Sequence, residues 1–578
     1  MTIKRFALVC ALIVGSALGI RGSVAEHAAH LSDDLLAHRT LLTIARTRVI
    51  VHGDAAQVAA LAARHHLQVL RQLSNEAVVA ANSLELAELA ADGAIDHLSG
   101  DPIVRTSMSV SNKATAADLT RAGAPGLLGI GAIPAVTGQG IGVAVIDSGI
   151  SPHAALVGKV VANVSLVTGD PSTADAYGHG THVAGIIAGA GAPARNVTGL
   201  YDGGVAPGVQ LVNVRVLGAD GSGLTSDVIA GIEWAVANRT RYNIRIINLS
   251  LGHPVGESAA TDPLCEAVAN AVQAGIVVVA AAGNTGVADN GSQILGGIMS
   301  PGNSPAAITV GALNTWATAD RSDDTVATYS SRGPTKYDFA VKPDVAAPGN
   351  KIISLEANGA YLVEEYSYLH TAGSGSNSYM QLSGTSMAAP MVSGGVALLL
   401  QGTPNLAPAQ VKLALQMGAT FVKDGGLMGA GAGSVNFWAS RKIAASGLGG
   451  QLVSTLVGGI LTPASGVAFW DTGSLATRLY QGSALRLLSP VTALLAWLNP
   501  SLLRVGDLNL LGLSNPLASM VPKWMLYGQV AGWTADQSIM WGSTIYNPQG
   551  QSIMWGSSDV TDGTSIMWGS SMTAEDPR

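Results

Sequence analysis

Five apolar runs rich in β-branched residues constrain this chain more than any other feature. They are Ile141–Ile146, Val209–Val216, Ile244–Leu249, Ile276–Ala281 and Ile308–Val310, and they largely lack strict polar alternation. A strand with one wet face alternates, so continuous runs belong to parallel strands covered on both sides. Segments of helical character lie between them, among them Thr181–Gly189, Ser226–Asn238 and Asp262–Ala274. This alternation predicts an α/β domain with a doubly wound, mostly parallel sheet. Ligands gather beyond the C-terminal ends of strands in such sheets. Asp147, Ser250 and Asn284 all stand at such ends.

The stretch Gly384-Thr385-Ser386-Met387-Ala388-Ala389-Pro390 precedes the apolar Val396-Ala397-Leu398-Leu399-Leu400. That pattern suits a nucleophile at the start of a buried helix, where backbone N–H groups lack intrahelical partners. A serine hydroxyl needs a base to take its proton and a third group to orient the base. Asp147 leads into Ser148-Gly149-Ile150, and His179 lies in Tyr177-Gly178-His179-Gly180-Thr181-His182-Val183. His179 and His182 share a helix face, as a metal pair would, but no glutamate sits between them as in H-E-x-x-H, which speaks against zinc. The structural alternatives are a turn aspartate at Asp147 and a helix cap at Ser386.

In the order Asp, His, Ser, these motifs resemble those of the subtilisin-like serine proteases. The resemblance runs from about Gly138 to Phe437 and takes in Gly204-Val205-Ala206-Pro207-Gly208, Val216 to Gly223, and Ala281-Ala282-Gly283-Asn284. It implies that Ser386 is the nucleophile, His179 the base and Asp147 its orienting group, with His182 structural. Asn284 would place its amide opposite the oxyanion, beside the Ser386 N–H. A protein or peptide substrate would add a strand against Gly221-Ser222-Gly223 and Ser250-Leu251-Gly252, where glycine permits close approach. Thr285, small and uncharged, speaks against a basic side chain next to the cut. A structural calcium ion is left open. The loop Ser148 to Leu156 lacks the acidic residues that often contribute to the family's tight calcium site, whereas Asp320, Asp323 and Asp324 offer loop oxygens elsewhere.

With 578 residues and a net charge of -7, the chain has no basic field to hold nucleic acid. Its charged fraction of 12% and its 71 glycines favour tight packing and structured loops over a disordered scaffold. Lys4 and Arg5 precede an apolar run from Phe6 to Ile20, and Ser23-Val24-Ala25 offers a cleavage site. This predicts a signal peptide over 1–25 and a secreted, extracellular protein. Cys10 leaves with it, so Cys265 has no disulfide partner and is expected as a buried apolar residue.

Residues 26–112 read as β-α-β-β-α-β, a ferredoxin-like α+β module. Lying between a signal and a protease, it resembles the family's inhibitory propeptide, with processing expected between about Arg105 and Ala116. The peptidase domain is placed at 113–446. An apolar C-terminal extension follows at 447–537, where membrane or surface association stays open. The tail, 538–578, carries Ser-Ile-Met-Trp-Gly-Ser three times, at 538–543, 552–557 and 565–570. Ile and Trp lie two apart in each copy, so each reads as a short β element. It would either cover an edge or form an aromatic binding module. Two functions follow: a secreted serine endopeptidase made as a self-processing zymogen, or a catalytically silent protease-like fold that works as a surface binding or structural protein through its repeats.

Overall fold

The structure is a computed structural model and describes residues 29–31, 35, 39, 44, 46–52, 55–72, 76–95, 97–100, 108–125, 132–288, 292–422, 425–446, 454–465, 467–471, 476–480, 520–522 and 565–566. The expected signal peptide, the first two tail repeats and much of the C-terminal extension lie outside them. The chain divides into two units, Met1–Val104 and Arg105–Arg578.

In the first unit, strands Thr47–His52, Val69–Gln72, Glu76–Ala81 and His97–Gly100 form a five-stranded sheet with His30–Leu31. Helices Ala55–Arg64 and Ser83–Ala91 supply Val58, Leu61, Leu86 and Leu89 to a core shared with Val49, Val51, Val79 and Leu98. Asn82 caps the second helix through a capping box with Glu85. The 112/113 division expected from the sequence falls inside a helix, Met108–Ala114, of the second unit, where Met108 is buried.

The second unit is built on an eight-stranded sheet. Its strands are β1 (Gly142–Asp147), β2 (Val160–Ser165), β3 (Gln210–Arg215), β5 (Ile244–Leu249), β6 (Val277–Ala281), β7 (Ile308–Asn314), β8 (Thr325–Val326) and β9 (Val345–Pro348). A short strand outside it, β4, spans Gly223–Leu224. The sheet order is β8-β7-β6-β5-β1-β3-β2, with β9 also on β7, and only the β7–β8 pair is antiparallel. Every residue of β1 is buried, as its central place requires.

Successive residues of the central strands enter opposite cores. Val143, Val145, Ile246 and Val279 meet Val183 and Ile186 of α1 (His179–Ala188) and Val396 and Leu399 of α4 (Thr385–Gly402). Ala144, Ile146, Ile247 and Val278 meet Val228 and Ile232 of α2 (Thr225–Ala237) and Leu264 and Val268 of α3 (Pro263–Gln273). Both faces are dry, which explains the missing polar alternation. Each fully buried Val, Leu or Ile contributes about 1.5–3 kcal/mol, so the two cores hold the strand ends, and whatever stands on them, in place.

Of the C-terminal extension, Ser454–Val457 and Ile460–Pro463 form a hairpin, and Ala468–Asp471, Ala476–Tyr480 and Met520–Pro522 form a three-stranded sheet. No helix among the described residues is long and apolar enough to cross a membrane. Ser565–Ile566, in the third tail repeat, pairs antiparallel with β4.

Candidate active site

Asp147 is the last residue of β1, and His179 is the first of α1; both are fully buried. The His179 Nδ1 lies 3.1 Å from Asp147 Oδ1 and 3.2 Å from Oδ2. Facing a carboxylate, Nδ1 carries the proton, which leaves Nε2 as the basic nitrogen. Asp147 Oδ1 also accepts from the Ser148 N–H at 2.6 Å, so the carboxylate cannot rotate away.

Two residues that sequence reasoning missed fix this pair. Asp175 accepts from the N–H groups of Gly178 and Thr181, both at 2.7 Å, and so caps the turn that carries His179. The Ser148 hydroxyl lies 2.8 Å from Asp175 Oδ1 and 3.1 Å from Asp147 Oδ1, and it accepts from the Gly180 N–H at 3.0 Å. One hydroxyl proton thus stands between two carboxylates. Burial pushes the Asp175 carboxyl above its ordinary range, against the hydrogen bonds that favour its anion. The available signal was an acidic residue four positions before His179, where a helix start needs an acceptor.

Glycine is required twice here. Gly178 has φ +105°, a left-handed conformation that starts the helix. A Cβ on Gly180 would lie 2.1 Å from the Gly149 carbonyl oxygen, so only glycine lets α1 meet the loop after β1. His182 points elsewhere: its Nε2 bonds the Ile352 carbonyl at 3.1 Å, and burial, aided by the nearby His179, holds its pKa down at about 3. It is a neutral core residue.

Ser386 occupies the first turn of α4, which packs on α1. Pro390 has no N–H to donate to the Ser386 carbonyl, the bond an ordinary helix would make. The Ser250 hydroxyl donates there instead, at 2.8 Å, while the Ser386 hydroxyl lies 3.1 Å from the Ser250 carbonyl. This reciprocal pair joins the end of β5 to the start of α4.

Asn284 lies just beyond β6. Its Oδ1 accepts from the Thr385 N–H at 2.9 Å and the Thr385 hydroxyl at 3.0 Å. That orientation leaves Nδ2 buried with no hydrogen-bond partner. A buried amide N–H without an acceptor costs about 1–3 kcal/mol, a cost that an incoming oxygen would relieve. Asn284, Ser386 and Thr385 line one hollow with Leu251, Gly252, Ala281, Gly283 and Met299, which adds no charged group.

The two expected substrate segments differ. Gly221, Ser222 and Gly223 follow a turn in which Asp220 accepts from the Ser222 N–H and hydroxyl at 3.0 and 2.8 Å. Gly221 rests on the ring of Tyr177, 2.6 Å from where its Cβ would be. Ser250, Leu251 and Gly252 are buried, and His253 beyond them is bridged to Ser300.

Among the described residues, no three His, Cys, Asp or Glu side chains group to hold a metal ion. Of the loop acids Asp320, Asp323 and Asp324, Asp323 is bonded by the Thr318 hydroxyl, while Asp324 turns inward and is buried. The loop Ser148 to Leu156 after Asp147 carries no acidic residue. Cys265 is buried as expected, and burial pushes its thiol up, out of nucleophilic range.

A parallel α/β sheet with a buried His–Asp pair, a helix-borne serine and a free amide defines a hydrolytic type of site. The subtilase family (Peptidase S8) matches residues 138–434. The serine protease AprX of Bacillus subtilis (strain 168) is 42% identical over 310 residues, covering 52% of this chain and 66% of AprX. Subtilisin DY of Bacillus licheniformis is 38% identical over 295 residues, 51% of this chain and 89% of that protein. Subtilisin Savinase of Lederbergia lenta is 36% identical over 296 residues, again 51% and 89%. The chain belongs to the subtilase family and is a subtilisin-like serine endopeptidase, a hydrolase acting on protein or peptide substrates.

Proposed function

We propose that Ser386 attacks the peptide carbonyl while His179 Nε2 takes its proton and then returns it to the leaving amine. Asp147 holds the imidazole in the required tautomer and stabilises its cation. Asn284 Nδ2 and the Ser386 N–H receive the oxyanion, and water then hydrolyses the acyl-enzyme. The observation that carries this reading is the unpaired Asn284 amide beside Ser386: its Oδ1 is tied down, so its donor is preorganised for charge that appears only in the transition state.

The substrate lies extended between Gly221–Gly223 and Ser250–Gly252. The side chain next to the scissile bond enters the hollow formed by Leu251, Ala281, Gly283 and Met299, which favours an uncharged, apolar group there. The chain is secreted through its signal peptide, and the 26–112 module inhibits the enzyme until it is cut away near 105–116.

The test is the intact mass of the secreted protein, followed over time, for wild type and Ser386→Ala, paired with hydrolysis of short peptides. The expected result is loss of the N-terminal module and peptide hydrolysis in wild type alone. Identical masses would refute self-processing. Absence of hydrolysis by correctly folded wild type would leave a silent, binding fold.

A further inference from the structure

The catalytic reading makes no use of the threefold Ser-Ile-Met-Trp-Gly-Ser repeat. Its third copy opens with the strand Ser565–Ile566, which lies antiparallel on β4, Ser565 opposite Leu224 and Ile566 opposite Gly223. Among the described residues β4 pairs with no other strand, so the edge is open to whatever extended chain arrives. Gly223 belongs to the segment assigned above to the substrate.

The direction of the pairing matters. As the tail advances from 565 to 566, its partner recedes from Leu224 to Gly223. Gly223 is two residues from Gly221, which rests on Tyr177, two residues before His179. Antiparallel addition to an open edge takes its affinity from main-chain hydrogen bonds. The repeat suits that role, with no charge, no proline and two strand-favouring residues, Ile and Trp.

We propose that the third repeat is a tethered occupant of the enzyme's own substrate cleft, a strand on β4 that competes with substrate. The proposal rests on the cleft assigned under Proposed function. Tethering supplies an effective concentration on the order of 1 mM. A copy with a dissociation constant of about 0.3 mM would therefore raise the apparent KM roughly fourfold without touching kcat.

Two experiments on the full-length chain test this. The first needs no catalysis: in a Ser386→Ala background, Leu224→Cys is combined with Ser565→Cys, and a second protein carries Val157→Cys, at an exposed site, with Ser565→Cys. Cross-strand partners lie within disulfide range. Mild oxidation should link 224 to 565 at least about tenfold more than 157 to 565; equal or absent links overturn the proposal. In the active chain, Ile539→Pro, Ile553→Pro and Ile566→Pro together remove the isoleucine N–H from every copy of the repeat. The expected result is an apparent KM for a short peptide lower by about threefold or more with kcat unchanged, restored when free Thr-Ser-Ile-Met-Trp-Gly-Ser is added. An unchanged KM overturns the proposal. If no variant hydrolyses peptide, the catalytic reading fails, and the cross-link alone decides the tail.

Discussion

At the scale of single residues, the site depends on groups that hold other groups. Asn284→Ala removes the free amide and should lower kcat by about 10²–10³ with little change in KM, as steady-state kinetics on a short peptide would show. Ser250→Ala leaves the Ser386 carbonyl without the donor that replaces the missing Pro390 N–H. The expected cost is about 1–3 kcal/mol of stability, read as a lower melting temperature in a Ser386→Ala background, which prevents self-digestion. Asp175→Ala leaves the Gly178 and Thr181 N–H groups without their acceptor and frees the Ser148 hydroxyl to turn wholly to Asp147. Lower kcat with KM unchanged is the expected outcome, because the His179 turn loosens while the substrate edges stay intact.

Legibility at this scale was uneven. Asp147, His179, Ser386 and Asn284 could be proposed from the sequence because each sits in a contiguous motif whose neighbours serve the same local geometry. Asp175, and the exchange between Ser250 and Ser386, could not be read in that way. Their partners lie on separate elements, and a lone acid or serine has the same local signature wherever it points.

At the scale of elements, the requirement is close approach. Helix α1 meets the loop after β1 only because Gly180 has no side chain. Gly180→Ala places a carbon 2.1 Å from a backbone oxygen, which neither α1 nor β1 can yield without losing packing. It should lower stability by several kcal/mol or lengthen the His179–Asp147 contact. Thermal unfolding and kcat of the variant would both fall, whereas Gly256→Ala, in open space, would change neither.

For the whole molecule, burial of titratable groups sets the response to pH. Burial raises Asp324 from the ordinary carboxylate range to about 7, even with Arg321 close enough to oppose the shift. A raised carboxyl binds a proton in the folded state that the unfolded chain has released, so its contribution is complete below about pH 4 and is lost as pH rises through 7. Asp324→Asn should therefore raise the melting temperature at pH 8, by several degrees, and leave it unchanged near pH 3.5. His182 acts in the opposite sense. Its folded pKa of about 3 makes its contribution complete above its ordinary 6.5 and lost as pH falls towards 3. Calorimetry of the Ser386→Ala protein across this range would resolve both slopes.

From sequence alone came the architecture's class and the residues proposed for the triad. A short apolar run rich in β-branched residues, set between helical segments, reads as a strand covered on both faces, and a motif of adjacent residues carries its own geometry. The tertiary structure decided what depends on distance between elements: which acid caps α1, which hydroxyl replaces the proline's missing donor, which aspartate turns inward, and which edge Ser565–Ile566 pairs with. Those outcomes depend on how strands and helices register against one another, a property of the packed whole that no local stretch encodes.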